Sequence, residues 1–182
     1  MTIDIPGYRA GTWTLDPAHS EVTFSVRHMM ISKVRGTFGV KSATLVAPEN
    51  PLEATVTASV DVTSIDTKDE NRDTHLRSAD FFDTEEYPTM EFVSTGTRVE
   101  GGDFLVDGDL SIRGITKPVT FEFEFGGFGR DPYGNYKAGA SATTVINRED
   151  FGLTWNAALE TGGVLVGKDV TITLDLQGSL QA

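Results

Sequence analysis

Cysteine is absent from the 182-residue chain, which excludes disulfides, thiolate metal sites and cysteine nucleophiles together. Basic residues are scarce: 15 Lys and Arg stand against 27 Asp and Glu, a formal net charge of −12. A balance of that sign repels phosphate backbones and anionic lipid surfaces, so neither nucleic-acid binding nor membrane attachment is expected from it. No stretch approaches the ~18 uncharged apolar residues of a transmembrane helix. The opening MTIDIPGYRAG lacks the basic and apolar regions of a secretory signal, and the expectation is a cytoplasmic protein without integral membrane insertion. The three histidines, His19, His28 and His75, form no H-E-x-x-H and no close zinc-type pair. No metal or cofactor is expected, although a site assembled in space stays open. With 38% hydrophobic and 23% charged residues, the composition is that of a folded globular chain. We read one domain over residues 1–182, with 1–10 as an N-terminal extension.

The pattern that is present is alternation. Val22, Phe24 and Val26 take one parity between Glu21 and His28, and Val56, Ala58, Val60 and Val62 do so after Ala54. Phe104, Val106, Leu110 and Ile112 repeat it, as do Val119, Phe121, Phe123 and Phe125, and then Val170, Ile172, Leu174 and Leu176. Weaker segments lie at Gly11–Leu15, Val34–Val46, Met90–Val99 and Tyr136–Ile146. Apolar-in, polar-out alternation belongs to antiparallel sheet with one wet face. Gly101-Gly102 and Asp131-Pro132-Tyr133-Gly134-Asn135 supply turns. The prediction is all-β, eight to ten strands in a sandwich or barrel. One segment differs: Thr67-x-x-Glu70 reads as a capping box, predicting a single helix from about Lys68 to Ala79, docked through Leu76 with Phe81 and Phe82 following.

Catalytic motifs fail on inspection. Gly162-Gly163-Val164-Leu165-Val166-Gly167-Lys168 ends on Asp169 instead of Ser or Thr, and a strand pattern follows where a P-loop needs a helix. Gly139-Ala140-Ser141-Ala142-Thr143 lacks the last Gly of a nucleophile elbow. No carboxylate pair falls on an inward parity, and no catalytic residue is assigned. Arg72-Asp73 and His75 on the helix either fix it to the barrel end or gate a ligand head group.

The inward parity of the Tyr136–Ile146 segment carries Ala138, Ala140 and Ala142. Because protein interiors are close-packed, the missing volume is either filled by large partners or left for a ligand.

An ordered series of residues then resembles one family. It runs Trp13-x-Leu15-Asp16-x-x-His19-Ser20, Phe24-x-x-x-His28, Gly36-x-Phe38, Ser64-Ile65-x-Thr67 and Arg72-Asp73-x-His75-Leu76-x-Ser78-x-Asp80-Phe81-Phe82. It continues with Tyr87-Pro88-x-x-x-Phe92, Gly108-x-Leu110, Gly114-x-Thr116-Lys117-Pro118-Val119 and Arg148-x-Asp150-Phe151-Gly152. The set is similar to the YceI-like family from Trp13 to Leu180. The resemblance implies a lipocalin-like antiparallel barrel of about eight strands, a helix near one mouth, and a hollow that binds a polyisoprenoid lipid such as an isoprenoid quinone. Carrier, reservoir and sequestering roles stay open, as do a homodimer and the alternative of an enzyme acting on an apolar substrate inside the barrel. A barrel packed shut and acting through its surface is the third reading.

Parity supplies the expected lining. It comprises Val22, Phe24, Val26 and Phe38; Val56, Val60, Leu76, Phe81 and Phe82; Phe92, Leu110, Phe121 and Phe123; and Ala138, Ala140, Ala142, Ile172 and Leu174. Arg72, Asp73 and His75 are the expected head-group residues at the mouth.

Overall fold

The computed structural model describes residues 3–157 and 165–181. Nine strands are found among them: β1 (Gly11–Leu15), β2 (Glu21–His28), β3 (Ser32–Ala47), β4 (Thr55–Asp66), β5 (Thr89–Glu100), β6 (Asp103–Ile112), β7 (Ile115–Arg130), β8 (Tyr136–Asn147) and β9 (Val166–Leu180). Every pairing is antiparallel. The order β3-β2-β9-β8-β7-β6-β5-β4 returns on itself through a β3–β4 ladder, so eight strands close the barrel. Strand β1 lies across one end and pairs with both β3 and β9.

Closure gives each of the eight strands a neighbour on both sides, and side-chain parity decides what lies inside. Register brings inward residues into layers: Val22 faces Leu174, Phe24 faces Ile172 and Val26 faces Val170. Two glycines make room for rings. A Cβ on Gly36 would stand 2.4 Å from the Phe24 ring, and one on Gly108 would stand 2.3 Å from the Phe92 ring.

Bulges reset the parity where the sequence pattern is weak. On β3 a register shift between Val40 and Ser42 moves the inward set from even positions (Val34, Phe38, Val40) to Ala43 and Leu45, and leaves Val46 exposed. On β7 a shift between Phe125 and Gly127 brings Phe128 to the same side as Phe125.

The helix α1 spans Glu70–Arg77, shorter than the predicted Lys68–Ala79, and the capping box does not form. Asp69 is the N-cap, its side chain accepting from the Arg72 backbone N–H at 3.1 Å. Lys68 sits at φ 62°, and Thr67 is buried with its N–H and hydroxyl turned to Asp73. A short carboxylate one residue before the first turn outcompeted the threonine two residues further back. No helix among the described residues is long and apolar enough to cross a membrane.

Candidate functional site: a blind apolar cavity

The barrel is neither packed shut nor open at both ends. A cavity of about 390 Å³ runs inside it, within the range of small-molecule sites. Its walls hold most of the residues expected from parity. Val22, Phe24, Val26 and Phe38 come from β2 and β3, and Val56 and Val60 from β4. Phe92, Leu110, Phe121 and Phe123 form the next wall, and Ala142, Ile172 and Leu174 complete the ring. Leu76, Phe81 and Phe82 close over it from α1 and the turn that follows.

Three expected residues are not in the lining. Ala138 and Ala140 keep their inward parity, yet they stand opposite Phe128 and Phe125 in the β7–β8 ladder. At that end the volume omitted from β8 is occupied by aromatics. Phe125 packs on Phe123, Phe104 and Phe128 with ring centroids 5.0, 5.7 and 5.8 Å apart. Phe128 meets Trp13 at 6.0 Å, and Trp13 meets Tyr136 at 5.8 Å. Residues 7–9 seal this floor from outside. The Tyr136 hydroxyl donates to the Gly7 carbonyl at 2.6 Å, the Trp13 indole donates to Arg9, and the Arg9 guanidinium lies 3.9 Å over the Tyr136 ring.

Asp73 is the third correction. It is 4% exposed and accepts from the Thr67 N–H at 2.9 Å and the Thr67 hydroxyl at 2.5 Å. It anchors α1 to the end of β4 and is not among the residues that border the cavity. Arg72 both anchors the helix and borders the cavity. Its Nε donates to Thr67 Oγ1 and its Nη2 to the Thr67 carbonyl, while the side chain also borders the cavity. His75 borders it too, edge-on to Phe81 and Trp155 at 5.1 and 4.7 Å, with Nε2 2.9 Å from Asp80.

Sequence parity missed the rest of the mouth. Leu153, Trp155 and Leu165 come from the irregular connection between β8 and β9, where no periodicity marks an inward position. Part of the glycine-rich near-miss (162–164) lies outside the described residues; Gly167-Lys168-Asp169 is in strand β9, not in a phosphate loop. Arg148 also borders the cavity and is 3% exposed. Its guanidinium donates to the carbonyls of Gly167, Leu153, Trp155 and Val166, and burial pushes its pKa below the usual arginine value.

Arg27, His28, Arg72, His75 and Arg148 are thus the basic side chains among the lining residues, with Arg148 spent on backbone carbonyls, and Glu91, bonded to the Ser59 hydroxyl, is the one carboxylate. His19 lies away from them, 2.8 Å from Asp16 beside β1. Among the described residues no group of three His, Asp or Glu side chains is placed to hold a metal ion.

Comparison with known proteins agrees with this geometry. The model of a family described as YceI-like domain matches residues 13–178. A UPF0312 protein of Staphylococcus aureus (strain MSSA476) is 40% identical over 170 residues, covering 92% of this chain and 97% of its own length. Among solved structures, the Campylobacter jejuni YCEI protein superposes with a TM-score of 0.68 at 26% identity, over 86% of this chain and 90% of that one. BcnA of Burkholderia cenocepacia gives 0.77 at 24% identity, over 90% and 98%. A polyisoprenoid binding domain from Saccharophagus degradans, described as implicated in plant cell wall breakdown, gives 0.66 at 15% identity, over 93% and 98%. The last two show likeness of fold alone.

Proposed function

The chain belongs to the YceI-like family, and from that premise and its one-ended cavity we propose that it binds a polyisoprenoid lipid, such as an isoprenoid quinone, without transforming it. The observation that carries this reading is the chemistry of the cavity: apolar from floor to mouth, with donors confined to the opening. An apolar guest there needs no ion pair. Ten buried carbons, at about 0.8 kcal/mol each, contribute about 8 kcal/mol, from which the loss of translational and conformational freedom is subtracted, and each further buried carbon adds to the surplus. Branched prenyl chains match walls built from Val, Phe and Ile.

The polar end of the guest meets Arg72 and His75, joined by His28. The Arg72 guanidinium is a donor only, so the fitting head group offers acceptor oxygens, as a quinone carbonyl or a phosphate does. Binding of such a guest, whether for carriage, storage or sequestration, needs no bound cofactor.

The test is mass spectrometry of protein purified under native conditions, followed by titration with a prenyl quinone. A co-purifying prenyl lipid and saturable binding are expected. Ala142→Phe, which projects a ring into the cavity, should cut affinity at least tenfold, whereas Ala140→Phe abuts the aromatic floor and should disturb folding more than binding. Absence of both co-purifying lipid and binding overturns the proposal. So does turnover of the prenyl compound that is lost in His75→Ala while binding persists.

A further inference from the structure

The turn between β2 and β3 is built against its own backbone preference. His28 accepts from the Ile31 N–H at 3.3 Å, and the two central residues, Met29 and Met30, have φ of 54° and 60°. A hairpin turn with two positive φ values is the place for Asn-Gly; two unbranched apolar side chains there are strained. Packing within the molecule does not offset the strain, because Met29, Met30 and Ile31 are 44%, 56% and 82% exposed. The tip stands at the mouth: the residue before it, His28, borders the cavity, and the Met29 N–H donates to the Leu165 carbonyl at 2.7 Å.

Charge is distributed unevenly around this tip. Between Val22 and Pro48 the chain carries Arg27, Lys33, Arg35 and Lys41 and no carboxylate, leaving 15 − 4 = 11 cations against 27 carboxylates elsewhere. Arg27 pairs with Lys33, and Ser25 with Arg35, in the β2–β3 register, so Arg27, Lys33 and Arg35 share the outer face of the hairpin. Beyond its last pairing with β4 at Thr37, β3 continues for five residues, about 16 Å of strand.

We propose that the Met29-Met30-Ile31 tip and its three cations seat the mouth of the barrel on an anionic bilayer surface. The inference rests on the lipid-binding reading above, since a guest of that kind is drawn from a membrane. Flexible apolar side chains enter between headgroups while the cations on the hairpin's outer face meet their phosphates. The overall charge of −12 opposes this only at long range, and salt screens it beyond about 8 Å at physiological ionic strength. It also sets the pose. The connection from Asp66 to Glu86 holds eight carboxylates and three cations, so the barrel meets the surface tilted, hairpin first and helix side away.

Flotation with vesicles of phosphatidylcholine, alone or mixed with phosphatidylglycerol, tests the site without any prenyl compound. Wild-type protein is expected to float with the anionic vesicles and to release as salt rises. Replacing the turn by its preferred pair, Met29→Asn with Met30→Gly, should lower vesicle affinity at least tenfold while raising the melting temperature by a few degrees. Lys33→Glu with Arg35→Glu should erase the preference for anionic over neutral vesicles. Wild-type protein that binds neither vesicle, or an Asn-Gly variant that binds as well as wild type, overturns the proposal. A variant that passes from dimer to monomer without vesicles also overturns it, and assigns the tip to a second copy of the chain. Prenyl-quinone titration of the same variants keeps the two readings apart: a cavity that binds nothing alongside this vesicle pattern removes the cavity reading and leaves the docking site, and the converse removes only the docking site.

Discussion

Arg148 shows how one side chain can hold a mouth together. Buried among four backbone carbonyls of the β8–β9 connection and the start of β9, it satisfies acceptors that irregular backbone would otherwise leave unpaired. Arg148→Met keeps much of the volume and removes the donors. The expected loss is about 3 kcal/mol in urea unfolding, with faster release of a bound prenyl compound. Asp73 makes a sharper point about reading roles from sequence. As a neighbour of Arg72 and His75 it looked like part of a polar gate, but its carboxylate is used up on Thr67. Asp73→Ala should cost about 2 kcal/mol in urea unfolding and leave prenyl affinity unchanged; an affinity loss at full stability would return it to the head-group site.

At the scale of elements, what was legible in the sequence was whatever parity alone decides. Strands β1 and β2 occupy the segments their alternation marks, Gly11–Leu15 and Glu21–His28, and β9 keeps Val170, Ile172, Leu174 and Leu176 on the cavity side. Legibility stopped at bulges, because a register shift exchanges the two faces without leaving a compositional mark. Ala138 and Ala140 keep their parity and still drop out of the lining because aromatics fill the space beside them. Phe125 opposite Ala140 lies on the plain alternation, whereas the shift on β7 that brings Phe128 opposite Ala138 is not visible in the Phe-Glu alternation before it. The β2–β3 turn was silent for the opposite reason, having neither Gly nor Asn. The capping box pointed to Thr67, two residues before the cap that forms, and Asp69→Ala, which removes that cap, should cost about 1 kcal/mol in thermal or urea unfolding. Thr67→Ser keeps the hydroxyl for Asp73 and should cost less.

The molecule as a whole carries its carboxylate excess on the outer face, and part of it is ordered there. Hydrogen bonds from Arg98 and Thr120 hold the Asp107 carboxyl below its ordinary pKa, and the bond to His19 does the same for Asp16. At Asp131 the Asn135 side chain and the turn backbone act alike. A carboxyl depressed in the folded state stabilises the fold above its unfolded pKa of about 3.9, and the contribution disappears as pH falls through the folded value. Stability is therefore expected to be level with respect to these groups near neutrality and to decline in acid. Asp107→Asn should melt below wild type at neutral pH and converge with it at the acid end; a constant gap across the range would mean that the Arg98 pairing contributes nothing through charge.

The aromatic floor made by Trp13, Phe125, Phe128 and Tyr136 has a kinetic corollary. A barrel with a single doorway cannot pass cargo through, so a newcomer waits until the occupant has backed out. The swap rate should then level off at the occupant's own departure rate, however concentrated the replacement, and whichever part of the molecule went in last must come out first.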